Sequence, residues 1–553
     1  MIRKDGFRVD ESREKRYTAS KVFFNKGGGA MSIGDEGGIR LLKKHKKTLL
    51  RAVFSRAGLI VVFLMVQVAL IVMAFDWLSD YLPHFVTLMT VLSTVMALYL
   101  LNSGHDPSAK LTWIVVILIL PVFGALLYAY TRSDLGHRLL KRRFAELIDE
   151  TREAIPQEAE VLEQAEREAP ELTGLSTYVG RTGCYPVYNR SRVRYFPLGD
   201  EAFPAILEEL EKAQTFIFLE FFIVDEGVFW GRVLEILARK AREGVDVRLV
   251  YDGTNEFFNL PRNYPRKLEE LGIRCRSFAP VHPLVSTHYN YRDHRKILVV
   301  DGRVALTGGI NLADEYINIH SRFGHWKDTA VMLEGPAVRS FTLMFLQTWN
   351  VSEKTPEYPY LEIEAEPQRE EAGFVMPYAD CPLDEERVGE WVYMDILNRA
   401  RRYVHIFTPY LILDGEMETA LKFAAERGVD VRLILPGVPD KKMAYALAKT
   451  HYPALLKSGV KIYEYSPGFV HAKSFVADDR EAVVGTINLD YRSLYHHFEC
   501  ALYMNGSAAV ADVERDFQET QTLCRAVSPE TARNEAWSMK LMGILMKVVA
   551  PLF

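Results

Sequence analysis

Two histidines and two lysines, set at the same short spacing in two distant places, are the residues of this chain best suited to chemistry. His294, Lys296 and Asp301 form a His-x-Lys-x4-Asp pattern, and His471, Lys473 and Asp478 repeat it. A turn follows each at the same offset: Gly308, Gly309 and Asn311 after the first, Gly485, Thr486 and Asn488 after the second. Imidazole titrates near neutrality, so it can serve as nucleophile, acid or base. Two such rings in opposite protonation states can exchange a phosphodiester in two displacements. One attacks phosphorus and becomes a phospho-histidine; the other protonates the departing alkoxide, then deprotonates the incoming hydroxyl. The lysines would neutralise the non-bridging oxygens, and the asparagines could donate hydrogen bonds to them. This chemistry needs no metal or cofactor, and no metal-ligand spacing stands out. A single His-x-Lys on a strand is ordinarily surface; the duplication makes the pair a candidate site.

The elements that must position these residues are duplicated too. Gly244-Val245-Asp246-Val247-Arg248-Leu249 recurs as Gly428-Val429-Asp430-Val431-Arg432-Leu433. Each copy follows an amphipathic stretch of helical period, and each stretch follows an apolar, β-branched and aromatic run. The order of strand, helix, strand, helix, strand, loop and motif strand predicts an α/β sheet with helices on its faces. The repeat is too long for a solenoid, so two tandem domains sharing one active site are expected, over residues 171–355 and 356–553. On a strand, residues two apart face the same way, so His294 and Lys296 project together, as do His471 and Lys473. Asp301 and Asp478 complete the catalytic signature. They lie beyond the buried run, and so read as holding the loop, or a lysine, more than as proton carriers.

These motifs resemble the phospholipase D superfamily and, more closely, bacterial cardiolipin synthases. The resemblance rests on Asn290–Lys296, Asp301-Gly302, Gly308–Leu312, Trp326–Thr329, Thr408-Pro409-Tyr410, Gly485–Ser493 and Phe498-Glu499, and it covers about residues 57–553. It implies that two phosphatidylglycerol molecules become cardiolipin and glycerol. His294 would be the nucleophile and His471 the acid/base, with Lys296, Lys473, Asn311 and Asn488 on the phosphate. Glu315 and Glu499 each follow one of the two turns, 4 residues after Asn311 and 11 after Asn488. They are candidates for orienting a histidine through its second ring nitrogen, with salt bridges of the fold as the alternative. The loop before the first motif, residues 281–293, has no long counterpart before the second and is expected to shape a lipid entrance. The motifs leave the acceptor open. Water would make the protein a phospholipase D hydrolase, and another alcohol would make it a different transferase.

The 553 residues carry a net charge of −5, unevenly spread. Residues 1–56 form a basic tail, expected to be disordered, with Arg40, Lys43, Lys44, Lys46, Lys47, Arg51 and Arg56 at its end. Such a cluster directly before an apolar span reads as a positive-inside anchor. Apolar segments at 57–75, 85–101 and 111–130 predict transmembrane helices and a multi-pass protein of the bacterial plasma membrane, the last tolerating Pro121. Arg132, Arg138, Lys141, Arg142 and Arg143 follow the last segment. Basic flanks on both sides require an even number of crossings for a cytoplasmic site, the placement favoured here. Then the middle segment does not cross fully; otherwise the charge rule is overridden. Residues 131–170 are Glu-rich and read as a solvated helical linker. The apolar C-terminus, 537–553, reads as an interfacial helix on the bilayer. Five scattered cysteines suggest free thiols. The catalytic part has no basic stripe, which argues against nucleic acid as a partner.

Overall fold

The computed structural model describes residues 82–104, 107–132, 135–183, 185–280, 291–320, 322–368, 371–384 and 386–550, with short stretches before residue 82. Most of the basic tail, most of segment 57–75 and residues 281–290 of the expected entrance loop lie outside them.

The duplication in sequence becomes a duplication in topology. The first half contains β1 (Arg192–Phe196), β2 (Phe216–Phe221), β3 (Asp246–Asp252), β4 (Arg274–Phe278), β5 (Lys296–Val300), β6 (Val304–Gly308) and β7 (Ala330–Glu334). They lie side by side in the order β1-β7-β6-β5-β2-β3-β4. The second half contains β8 (Phe374–Asp380), β9 (Tyr403–Phe407), β10 (Asp430–Pro436), β11 (Lys461–Tyr465), β12 (Ser474–Ala477), β13 (Glu481–Gly485) and β14 (His497–Asn505). Their order, β8-β14-β13-β12-β9-β10-β11, is the same path, with Cys524–Ala526 added at the outer edge. In each half the first three strands joined by helices run parallel, and the motif strand is antiparallel to them. The motif strands β5 and β12 are buried throughout, as strands covered on both faces must be.

One helix of each half reaches into the other. Val338–Asn350, buried except at Arg339, packs on β2, β5 and β6 and also on β8. Its counterpart Ala509–Gln521 packs on β9, β12, β13 and β14 and also on β1. Lys327 and Tyr195 of the first half both bond to Asp516 on that second helix. The large core consequently contains side chains of both halves.

Residues 131–170 depart from the solvated linker expected. The helices Leu135–Glu150 and Ala159–Glu168 bury Phe144, Val161 and Ala165 in that shared core. The Phe144 ring lies 4.7 Å from Phe498. Apolar residues at helical spacing supply the inward face, while the many glutamates occupy the outward one.

The apolar N-terminal region differs from a row of continuous spans. Segment 111–130 is broken at Leu120–Pro121 into the helices Pro107–Ile119 and Pro121–Arg132. Proline lacks the N–H that would continue the first helix and crowds the preceding turn. The second helix folds back on the first: Trp113 meets Tyr128 edge-on at 5.2 Å, and a side chain at Gly124 would come 2.8 Å from the Ile117 Cα. The helix Leu82–Leu101 packs on both and exposes Leu88, Val91, Val95 and Leu98. Among the described residues no helix is long and apolar enough to cross a membrane. At the other end, the helix Trp537–Val549 seats Gly543 on the Ala446 carbonyl and exposes Trp537, Ile544 and Leu545. Cys275, Cys381, Cys500 and Cys524 are free thiols.

Candidate active site

The two motifs meet through a crossed pair of short parallel ladders. Arg292 and Asp293 pair with His497 and Phe498 of the second half, and the His294 N–H donates to the Phe498 carbonyl at 2.9 Å. This register places the next residue, Glu499, against the His294 ring, whose Nδ1 is 2.9 Å from both carboxylate oxygens. The other motif repeats the arrangement with the halves exchanged. His325–Lys327 pairs with Gly468–Val470, and the His471 N–H donates to the Lys327 carbonyl at 2.7 Å. The next residue, Asp328, has its Oδ2 2.6 Å from His471 Nδ1. Each histidine is therefore held by a carboxylate of the other half.

Asp328 and Glu499 are equivalent positions. Asp328 stands two residues before Ala330, which faces Gly308; Glu499 stands two before Ala501, which faces Gly485. Glu315, though it follows the first turn, is not the counterpart of Glu499. It lies in the short 3-10 turn Asp314–Ile317, and the acid on His471 is Asp328. Glu315 comes only 4 residues after Asn311, whereas Glu499 comes 11 after Asn488; the chain between the first turn and β7 is the longer one, so the counterpart, Asp328, comes 17 after Asn311. Counting back from β7 and β14 would have found it. The residues around the acids differ as well. A side chain at Gly309 would collide with Asp328 Oδ1, whereas the equivalent Thr486 donates its hydroxyl to Glu499.

Lys296 and Lys473 are buried, and each points its ammonium back at the carbonyl of its own motif histidine. Burial pushes Lys296 down to about 8 and Lys473 to about 7, against the pull of Asp328 and Glu499 near both. Burial also holds both histidines well below their ordinary range. Lys473 and Lys296 add to this at His471, whereas at His294 Glu499 opposes it. The two acids separate. Burial would raise Glu499, but the His294 and His497 rings bring it well below the usual carboxylate range. Asp328 is pushed up to about 7 by burial, against the pull of Lys473. Lys473 Nζ is also 2.8 Å from His471 Nδ1. That nitrogen can carry a hydrogen or offer a lone pair, and the nearer oxygen of Asp328 makes it a hydrogen carrier when Asp328 is ionised.

The asparagines are used differently. Asn311 accepts from the Ile223 N–H at 2.9 Å and donates to the Tyr316 hydroxyl at 2.7 Å, so its amide clamps the loop after β2. Asn488 is buried with its Oδ1 unbonded among the described residues. Asp301 and Asp478 lie outside the site. Asp301 accepts the N–H groups of Gln214, Thr215 and Phe216, each at 2.8 Å. Asp478 accepts those of Arg401, Arg402 and Tyr403 at 2.8–2.9 Å. Each sits at positive φ, 54° and 55°, at the far end of its motif strand. At ~3.3 Å per residue, that is about 16 Å from the lysine. They bond the turn to the start of β2 or β9; they hold neither a lysine nor a proton in transit.

Sequence reasoning also passed over His497. Its ring lies 5.2 Å from His294, tilted by 37°, and its Nδ1 is 3.4 Å from Glu499 Oε1. Behind His294, Arg295 bonds to Glu220 at 2.8 Å and to Asp293 at 3.2 Å, all three buried.

The chain is similar to known proteins over most of its length. A family profile described as "Cardiolipin synthase, PLD-like domain" matches residues 206–341 and 393–521, one stretch in each half. A second, "Phospholipase_D-nuclease N-terminal", matches residues 91–132. An uncharacterised protein of Streptococcus mutans is 53% identical over 461 residues, 82% of this chain and 99% of its own length. A cardiolipin synthase of Geobacillus kaustophilus is 33% identical over 487 residues, 86% of this chain and 95% of its own. The fold is also that of a phosphatidylserine synthase crystallised from Haemophilus influenzae. It has a TM-score of 0.52 and 14% identity, and covers 65% of this chain and 93% of that one. With its duplicated motif, its crossed histidine–carboxylate pairs and relatives matching over most of its length, this chain belongs to the cardiolipin synthase family of the phospholipase D superfamily.

Proposed function

We propose that this protein is a phosphatidyltransferase that joins two phosphatidylglycerol molecules into cardiolipin with release of glycerol, with His294 as nucleophile and His471 as acid and base. The observation that carries the roles is the difference between the two acids. Glu499 stays ionised and takes the Nδ1 hydrogen of His294, leaving the Nε2 lone pair for phosphorus. Asp328, at about 7, lets the His471–Asp328 pair retain a proton near neutral pH, as a general acid requires. In the first step His294 Nε2 bonds to phosphorus, the bond from phosphorus to the glycerol oxygen breaks, and that oxygen takes a proton from His471. In the second step the headgroup hydroxyl of another phosphatidylglycerol attacks phosphorus and gives its proton to His471. The bond from phosphorus to nitrogen then breaks. Lys296, Lys473 and Asn488 hold the non-bridging oxygens.

The test is direct. Purified full-length protein in detergent–lipid micelles, given labelled phosphatidylglycerol and no other alcohol, should form cardiolipin and an equal amount of glycerol, and His294→Ala should form neither. Phosphatidic acid as the sole product would make water the acceptor and overturn the transferase reading.

We infer further that the apolar N-terminal region anchors the catalytic halves at a bilayer and that the helix Trp537–Val549 lies on its surface. Exposed Trp537, Ile544 and Leu545 beside Lys540 and Lys547 support this, being the pattern of an interfacial helix. The fold-back at Pro121 returns the chain to the side from which it enters, and so favours basic flanks on one, cytoplasmic, side. Ile544→Ser with Leu545→Ser should weaken flotation with vesicles of phosphatidylglycerol; unchanged flotation would remove the helix from this role.

A further inference from the structure

The rings that flank the two histidines occupy equivalent places but differ in chemistry. Trp326, two residues before Asp328, lies 5.4 Å from His471 at 40°; His497, two before Glu499, lies 5.2 Å from His294 at 37°. Packing alone is satisfied by either ring, but only the histidine brings lone pairs. His497 Nδ1 is buried, has no close hydrogen-bond partner among the described residues, and faces Glu499 Oε1 at 3.4 Å. A buried polar atom left this way needs a reason.

One ring nitrogen of each of His294 and His497 and a Glu499 oxygen all lie within 4.8 Å of one another. The edges to the carboxylate are 2.9 Å and 3.4 Å. A tetrahedral ion with bonds of ~2.0–2.1 Å holds its donors about 3.3 Å apart, so these edges fit such an ion. Two imidazoles and one carboxylate form a donor set suited to Zn2+ and its neighbours, whereas Mg2+ and Ca2+ favour oxygen throughout. The fourth position would fall to water.

We propose that His294, His497 and Glu499 form a binding site for a divalent transition-metal ion, Zn2+ foremost, which switches the nucleophile off. His294 can bond the ion through Nδ1 only if its single ring hydrogen moves from Nδ1 to Nε2. Nε2 is the atom that must attack phosphorus, and with a hydrogen on it the lone pair is gone. No proton is released overall and no redox change occurs. Lys296 and Lys473 nearby oppose the added positive charge and so weaken the ion's hold, and it is the loss of the Nε2 lone pair that stops transfer. The switch rests on the proposed role of His294; the binding site does not.

The experiment keeps the two apart. Metal-free, full-length protein in detergent is dialysed against Zn2+, and separately titrated with Co2+, whose visible absorption reports tetrahedral nitrogen and oxygen ligands. One ion per chain is expected in the wild type. In His497→Phe, which keeps an aromatic ring in place, affinity should fall on the order of 100-fold, since even loss of a group that only orients a ligand costs 10–100-fold. His497→Gln serves as a second variant, and thermal unfolding verifies that both remain folded. No stoichiometric binding, or equal binding in the wild type and both variants, would overturn the site whatever the enzyme's activity. Transfer in the wild type should fall with Zn2+ and recover with chelator. Zn2+ bound at this site without any loss of transfer would overturn the switch.

Discussion

The two halves share a strand order and a motif but build the ground behind the motif from opposite materials. Arg292, Asp293 and Arg295 of the first half correspond to Phe469, Val470 and Ala472 of the second; Glu220 and Asp252 correspond to Phe407 and Pro436. The first histidine thus stands on a buried network of charges, and the second on apolar packing. Strand topology and register alone suffice to place a His-x-Lys pair. The material behind it is then free to set charge, as the unlike roles proposed for the two histidines require. The same division runs through the rest of the site: Thr486 against Gly309, a free Asn488 against a committed Asn311, and an ionised Glu499 against an Asp328 at about 7.

The comparison breaks most severely at the histidines themselves. His294→Ala should lower turnover by about 10⁴-fold or more, with no covalent intermediate formed. His471→Ala should cost about 10²–10⁴-fold, the range of one general acid. Next are the acids. Glu499→Gln and Asp328→Asn should each lower kcat by about 10³-fold, because an amide can present its N–H to the ring and fix the wrong tautomer. Glu315→Gln should leave kcat unchanged.

The supporting material can be tested through stability. Arg295→Met leaves Glu220 and Asp293 buried without their cation and should cost about 3–5 kcal/mol in denaturant unfolding. Phe407→Leu, at the position equivalent to Glu220, should cost about 1 kcal/mol. Equal losses would mean that the charged network is no more demanding than the apolar one. Asp301→Ala and Asp478→Ala should behave alike, each losing about 1–3 kcal/mol with kcat in the folded protein unchanged. A selective loss of kcat in either would return that aspartate to the site.

The smallest effect is on pH. In the proposed mechanism the protonated lysines bind the phosphate anion, and burial lowers Lys473 to about 7 and Lys296 to about 8. Binding must therefore take up protons, and KM should rise several-fold from pH 7 to 9. Lys473→Arg, which stays charged, should flatten the lower part of that rise.

Much of this was legible in the sequence because it is written in short periods. The two-residue spacing of His294 and Lys296 fixed their common face, and the repeated Gly-Val-Asp-Val-Arg-Leu marked matching strands. The partners of the motif were less legible. Asp328 and Glu499 reach the histidines through pairing between chain segments 143 and 205 residues apart, and that register has no local signature. His497 was obscured for the same reason. Residues 131–170 were misjudged by composition, since their glutamates outnumber the few apolar residues that decide their burial. A spanning helix can tolerate a proline such as Pro121, but here the close approach of Gly124 to Ile117 makes it a reversal.

The central claim is that the half with the ionised Glu499 supplies the nucleophile and the half with Asp328 the acid. It is tested most directly by trapping. His471→Ala protein is mixed with phosphatidylglycerol labelled in its phosphate, quenched in alkali to preserve a bond between phosphorus and nitrogen, digested, and mapped by mass spectrometry. Label on the peptide containing His294 is the predicted result. Label instead on the peptide containing His471 in the reciprocal His294→Ala protein, with none on His294, would contradict the assignment of roles to the two halves.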